Sequence, residues 1–202
     1  MSRNSARAKV EAMRREQARR ARNQRLILVA SGLVAVALIA SLVTWAVVRG
    51  RSTASAAGTG VVTYANLSRN HVEGKVSYPQ TPPAGGDHAA AWLNCGIYDQ
   101  AVPNENAVHS LEHGAIWITY QPSLPAAQVA TLEKDVRNQP YGLLSPYPGL
   151  PDPVVATVWG VQLRLQSADD PRLASFIDKY ADATQAPEPK GECTGGTGTP
   201  QR

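Results

Sequence analysis

Leu26 to Val48 is a run of 23 residues without a charge, LILVASGLVAVALIASLVTWAVV. About 20 apolar residues at roughly 1.5 Å rise cross a hydrocarbon core of roughly 30 Å. A core helix of a globular protein would carry a polar face along such a length, and this run has none. It therefore predicts a transmembrane helix over 26–48. That divides the chain into a short N-terminal tail, 1–25, and a larger C-terminal part that must fold on the far side of the bilayer. Trp45 lies near the outer end, where interfacial aromatics are favoured.

Charge sets the orientation. Residues 1–25 hold nine basic side chains (Arg3, Arg7, Lys9, Arg14, Arg15, Arg19, Arg20, Arg22, Arg25) against Glu11 and Glu16, a balance of +7. Arg49 and Arg51 add two, so with a whole-chain charge of +4 the part from Ser52 onward carries −5. The excess of basic residues before the run predicts a cytoplasmic N-terminus and an extracytoplasmic domain. The basic tail is read as a topology signal that meets the lipid bilayer, and no nucleic-acid partner is expected. Ala54-Ser55-Ala56 has the small-x-small form of a cleavage site. Signal peptides, however, carry only about 7–15 apolar residues, which favours an uncleaved single-pass anchor over cleavage after Ala56.

Residues 49–60 form a small, polar linker, and 61–185 read as one extracytoplasmic domain. His71–Tyr78 alternates enough for a short strand, and Gln80–Asp87 is a Pro/Gly turn. Ala89–Tyr98 is apolar and ambiguous. Asn104 or Asn106 is placed to cap a short helix through HSLEH that stops at Gly114. Ala115–Tyr120 is a buried strand. Ser123 is the expected cap of a helix to about Asn138, with Val129, Leu132 and Val136 on one face. Leu143–Pro153 holds too many prolines to look regular. Val154–Gln166 is one long strand or two broken at Gly160, and Asp169 or Asp170 caps a last helix with Pro171 in its first turn. The expected fold class is α+β: a small, mainly antiparallel sheet with two helices on one face, preceded by one transmembrane helix.

The chain has two cysteines, Cys95 and Cys193. Outside the cytoplasm an isolated pair is expected to oxidise. A Cys95–Cys193 disulfide would staple the irregular tail, 186–202, to the domain. The alternative is a thiolate metal ligand from Cys95.

All four histidines, His71, His88, His109 and His113, fall between positions 71 and 113. His109 and His113 share a face in a helix and in a strand alike. H-x-x-x-H offers two nitrogen donors to one ion. His88 follows a flexible Gly-Gly turn and is the expected third ligand, with Glu112 or His71 completing the shell; zinc or copper is the expected ion. His109-x-x-Glu112-His113 also has the H-x-x-E-H form of a zinc hydrolase in which the glutamate is the general base. That pattern needs a long helix and a downstream acidic ligand, whereas Gly114 and a strand follow at once. No catalytic residue is assigned, and an enzyme is not the favoured reading. The other reading is an accessory subunit that binds a membrane-protein partner and has structural histidines. There is no G-x-S-x-G, P-loop, dinucleotide fingerprint or C-x-x-C.

Several segments together are distinctive: TPPAGGDH (81–88), WLNCGIYDQAVPNENAVHSLEHGAIWITY (92–120), LLSPYPGLPDPVVATVWG (143–160) and APEPKGEC. Over roughly residues 60–194 the chain resembles an actinobacterial family known as domain of unknown function 3105. The resemblance implies a basic N-terminus, one span and one extracytoplasmic domain carrying P-P-x-G-x-H and H-x-L-E-H-G motifs. Here the first motif has one residue more before His88, and the second runs from His109 to Gly114. The family implies no activity.

Overall fold

The computed structural model describes residues 60–201. The basic tail, the apolar run and all but the last residue of the linker lie outside them. Among the described residues no helix is long and apolar enough to cross a membrane.

The sheet is built around IWITY. Alternation along a strand sends Ile116 and Ile118 to one face and Trp117 and Thr119 to the other. In chain order the strands are β1 (Val61–Thr63), β2 (Gly96–Ile97), β3 (Ile116–Tyr120), β4 (Gly142–Pro146), β5 (Val154–Val158) and β6 (Val161–Leu165). The helices are α1 (Asn104–Glu112), α2 (Ala126–Arg137) and α3 (Pro171–Tyr180). Across the sheet the order is β1-β6-β5-β3-β4-β2.

The class is α+β, but the sheet is mixed rather than mainly antiparallel. β1, β6, β5 and β3 pair antiparallel, whereas β4 lies parallel to both β3 and β2. The cause is the segment that its prolines had marked as irregular. Gly142–Pro146 is fully buried and pairs residue for residue with β3, Ile116 against Gly142 through Tyr120 against Pro146. Parallel neighbours need a crossover, and α2 supplies it. Pro146 sits at the strand's last position, and Pro148, Pro151 and Pro153 shape only the loop that follows.

Two helices do share one face. Leu132 and Val136 of α2, and Leu173, Phe176 and Ile177 of α3, pack with Ile118, Leu144, Ala156 and Leu163. A third helix, α1, covers the opposite face, where Ala107, Val108 and Leu111 pack with Trp117 and Leu143. Trp117 is fully buried, and its indole N–H donates to Ser145 Oγ at 3.0 Å, so no polar atom is stranded there. Gly160, at φ +73, turns the chain between β5 and β6, the two-strand form of the 154–166 segment.

Local signals at the helix starts were half right. Asp170 caps α3, accepting from the Arg172 N–H at 3.0 Å. α1 is not capped by Asn104 or Asn106: Pro103 stands at its N-cap, Asn104 donates to the Tyr147 hydroxyl, and Asn106 donates to the Ala91 carbonyl. Those amides had tertiary partners to serve. α2 likewise begins after Pro125 and not at Ser123. His71–Tyr78 is not a strand. Gly74 turns at φ +83, Val76 N–H is taken by the Glu105 carboxylate at 3.0 Å, and only His71 makes a β-bridge, parallel to His88.

Candidate metal centre

The centre lies on the α1 face. Helix α1 delivers His109 and Glu112 one turn apart and carries His113 at its C-cap. Gly114, at φ +104, then turns the chain into β3, and a side chain there would collide with Ala183. His71 and His88 arrive on two irregular segments that their bridge holds together, with Val72 N–H on His88 O at 2.8 Å and His88 N–H on Asn70 O at 3.0 Å. Asp87 fixes the first of these segments, accepting from both the backbone and the side-chain amide of Asn70.

Three of the four imidazoles are oriented in the same way. Nδ1 of His88 lies 2.8 Å from Gly86 O, Nδ1 of His109 2.7 Å from Ala89 O, and Nδ1 of His113 2.6 Å from Glu192 O. A carbonyl oxygen only accepts, so each Nδ1 carries a proton and donates it. In a neutral ring Nε2 then presents a bare lone pair. These lone pairs are turned inward. His109 Nε2 and His113 Nε2 face each other at 3.0 Å. His88 Nε2 lies 2.8 Å from Glu112 Oε2, yet outside hydrogen-bonding geometry, and is a buried nitrogen without a hydrogen-bond partner. Two lone pairs at 3.0 Å, or a lone pair against a carboxylate at 2.8 Å, repel unless a proton or a cation lies between them.

Donor atoms of His71, His88, His109 and Glu112 all lie within 4.8 Å of one another. A tetrahedron with bonds of about 2.0–2.1 Å has edges of roughly 3.3 Å. Separations here run from 2.8 Å (His88–Glu112) through 4.0 Å (His71–Glu112) to that 4.8 Å limit, and so bracket the required distance. This donor set fits a transition-metal ion. His71 belongs to the tight group, and His113 adjoins it through His109. Cys95 is not a donor: it is disulfide-bonded to Cys193, 98 residues away, with Cα atoms 5.3 Å apart.

Sequence reasoning did not find Glu188, Trp92 or Trp159. Glu188 Oε2 stands 3.6 Å from His113 Nε2. The Trp92 ring lies 5.3 Å from His113 and 5.8 Å from His109, and Trp159 meets His88 edge-on at 6.0 Å. The one signal for Glu188 was its place in the APEPKGEC segment, which the disulfide draws across the site. Glu188 N–H donates to Glu112 O at 3.0 Å, and Cys95 N–H donates to Cys193 O at 2.8 Å.

Burial pushes the His109 imidazole from 6.5 down to about 4, the neighbouring His113, His88 and His71 rings add to this, and the Ala89 hydrogen bond opposes it. The consequence for metal-free protein has a definite sign. The unfolded chain takes up this proton before the folded one, so stability is fully present above about 6.5 and is lost as pH falls toward 4. Urea midpoints measured across that window should fall steadily, and His109→Gln should flatten the curve. An unchanged slope in the variant would assign the pH dependence elsewhere.

Fold and site together define a histidine–carboxylate donor cluster held on an α+β domain. The chain belongs to the family described as protein of unknown function DUF3105, whose match spans residues 71–195 and so takes in every member of the cluster. No curated protein and no solved structure matches.

Proposed function

We propose that this protein is a single-pass, membrane-anchored, extracytoplasmic metal-binding protein. Its centre holds one zinc or copper ion through His71, His88, His109 and Glu112, with His113 alongside. One observation carries the reading: three imidazoles are tied through Nδ1 to backbone carbonyls and turn bare Nε2 atoms onto one another and onto a buried carboxylate. Backbone partners of this kind fix the tautomer and orientation of metal-ligating histidines. A neutral, unmetallated cluster would gain nothing from the arrangement. The uncharged 23-residue run and the basic tail before it support the anchor and its orientation.

The helix bearing the H-x-x-E-H string ends at Glu112 itself, and Glu112 stands among the donors. A ligand role suits it better than that of a general base, and a binding function better than hydrolysis.

The test is elemental analysis of the purified full-length chain. About one zinc or copper per chain is expected, lost in His109→Ala and in His88→Ala. Chelation should lower the melting temperature, since an ion at 100 times its Kd contributes about 2.7 kcal/mol to the folded state. Sub-stoichiometric metal, unchanged in the variants, would reject the proposal and leave the accessory-subunit reading, for which capture of a membrane partner is the next experiment.

A further inference from the structure

The donor cluster is closed on most sides and open on one. His88, His109 and Glu112 are buried, with Trp159 beside His88 and Trp92 beside His109. His71 differs, its side chain being 51% exposed. On that side lies a polar cavity of about 470 Å3 lined by Leu67, Ser68, Arg69, Asn70, His71, Glu112 and Glu188. An ion in the cluster would meet solvent through this cavity.

The charges around the cavity are informative. A divalent ion bound by Glu112 and neutral imidazoles retains one positive charge. Arg69 adds another, and it is in none of the ion pairs among the described residues. Glu188 removes one, but its carboxylate is directed toward His113. The residues lining the cavity therefore sum to a net positive charge once the metal is present, and Arg69 is one of them. A guanidinium presents a rigid fork of N–H donors that matches carboxylate and phosphate oxygens, and a metal ion takes a further oxygen ligand where its shell is open.

We infer that the cavity beside His71 is a binding site for a small oxyanion, a phosphate or carboxylate group, which places one oxygen on the metal and others on Arg69. The inference rests on the metal reading and names the class of ligand that centre would take. It makes His71 the exchangeable member of the donor group, because it alone is half exposed at the cavity wall, while His88, His109 and Glu112 stay fixed.

The test uses the full-length protein loaded with Co2+, whose visible absorption reports coordination number and ligand change. Titration with inorganic phosphate, and separately with acetate, should give a saturable spectral change. Arg69→Gln should bind Co2+ as the parent does but require roughly tenfold more anion, the loss of one good charge-assisted contact. Stoichiometric Co2+ with a spectrum indifferent to both anions would overturn the inference and leave the metal centre standing. An anion response undiminished in Arg69→Gln would overturn the assignment of the site to this cavity. Failure to bind Co2+ would remove the metal reading and this inference together. Saturation by phosphate and not acetate would narrow the ligand class to phosphate groups, and the reverse to carboxylates.

Discussion

Glu112→Gln should lose zinc affinity by on the order of 100-fold or more while leaving the metal-free protein as stable as the parent. The carboxylate is buried, and its nearest nitrogen, His88 Nε2, has its other ring position committed to Gly86. Without an ion the charge is poorly compensated, and a buried charge of that kind is costly. The isosteric amide removes the charge while keeping the side chain's shape. With an ion the balance reverses, since the negative ligand is lost. Losing only an outer partner of a metal ligand costs about 10–100-fold, and a ligand itself should cost at least the upper end, about 2.7 kcal/mol. Zinc titration against a competing chelator, with urea unfolding of chelated samples, reads both halves. Parent-like affinity would show that Glu112 is no ligand. A marked drop in metal-free stability would show that it belongs to a structural ion pair.

Replacing Cys95 and Cys193 together by alanine should produce a large stability loss. The bond spans 98 residues, and closing a loop near 100 residues contributes about 4.7 kcal/mol in the chain-entropy account, less any strain. At about 2–4 °C per kcal/mol for a chain of this size, the melting temperature should fall by roughly 10–15 °C, and a reductant should do the same to the parent. The site should feel it too. Cys193 follows directly on Glu192, whose carbonyl orients His113, and Gly191 packs against the His113 ring so closely that a side chain there would collide with it. A further roughly tenfold loss of zinc affinity is expected, the low end for an outer-shell partner. A large thermal shift with unchanged affinity would separate the staple from the centre.

Much of this molecule is legible in the sequence. α3 is, because Asp170, Pro171 and an apolar stripe of Leu173, Phe176 and Ile177 all signal one helix. β3 is, because IWITY suits nothing else. β4 is not, because its prolines outweigh two buried leucines, and the parallel half of the sheet is lost with it. Propensity reads local preference, and a strand paired on both sides overrides it. At the site, residue type and proximity in sequence pointed to His88, His109, Glu112 and His113. They could not show that His71 would bridge to His88, nor that the tail would return to present Glu188 and the Glu192 carbonyl. Those placements depend on contacts far apart in the chain.

The bridge between His71 and His88 has a kinetic meaning as well. Only His109, Glu112 and His113 are neighbours in sequence, and the remaining parts come from positions 71, 88 and 188–193, held in place by backbone contacts with one another and with α1. Loop-closure entropy must be met before such distant partners can meet. In small zinc modules the ion templates the fold. Here too a complete shell exists only once the chain has its native topology. Metal uptake would then report that the domain has finished folding, and a newly made chain would sample the metal in its compartment only after that point.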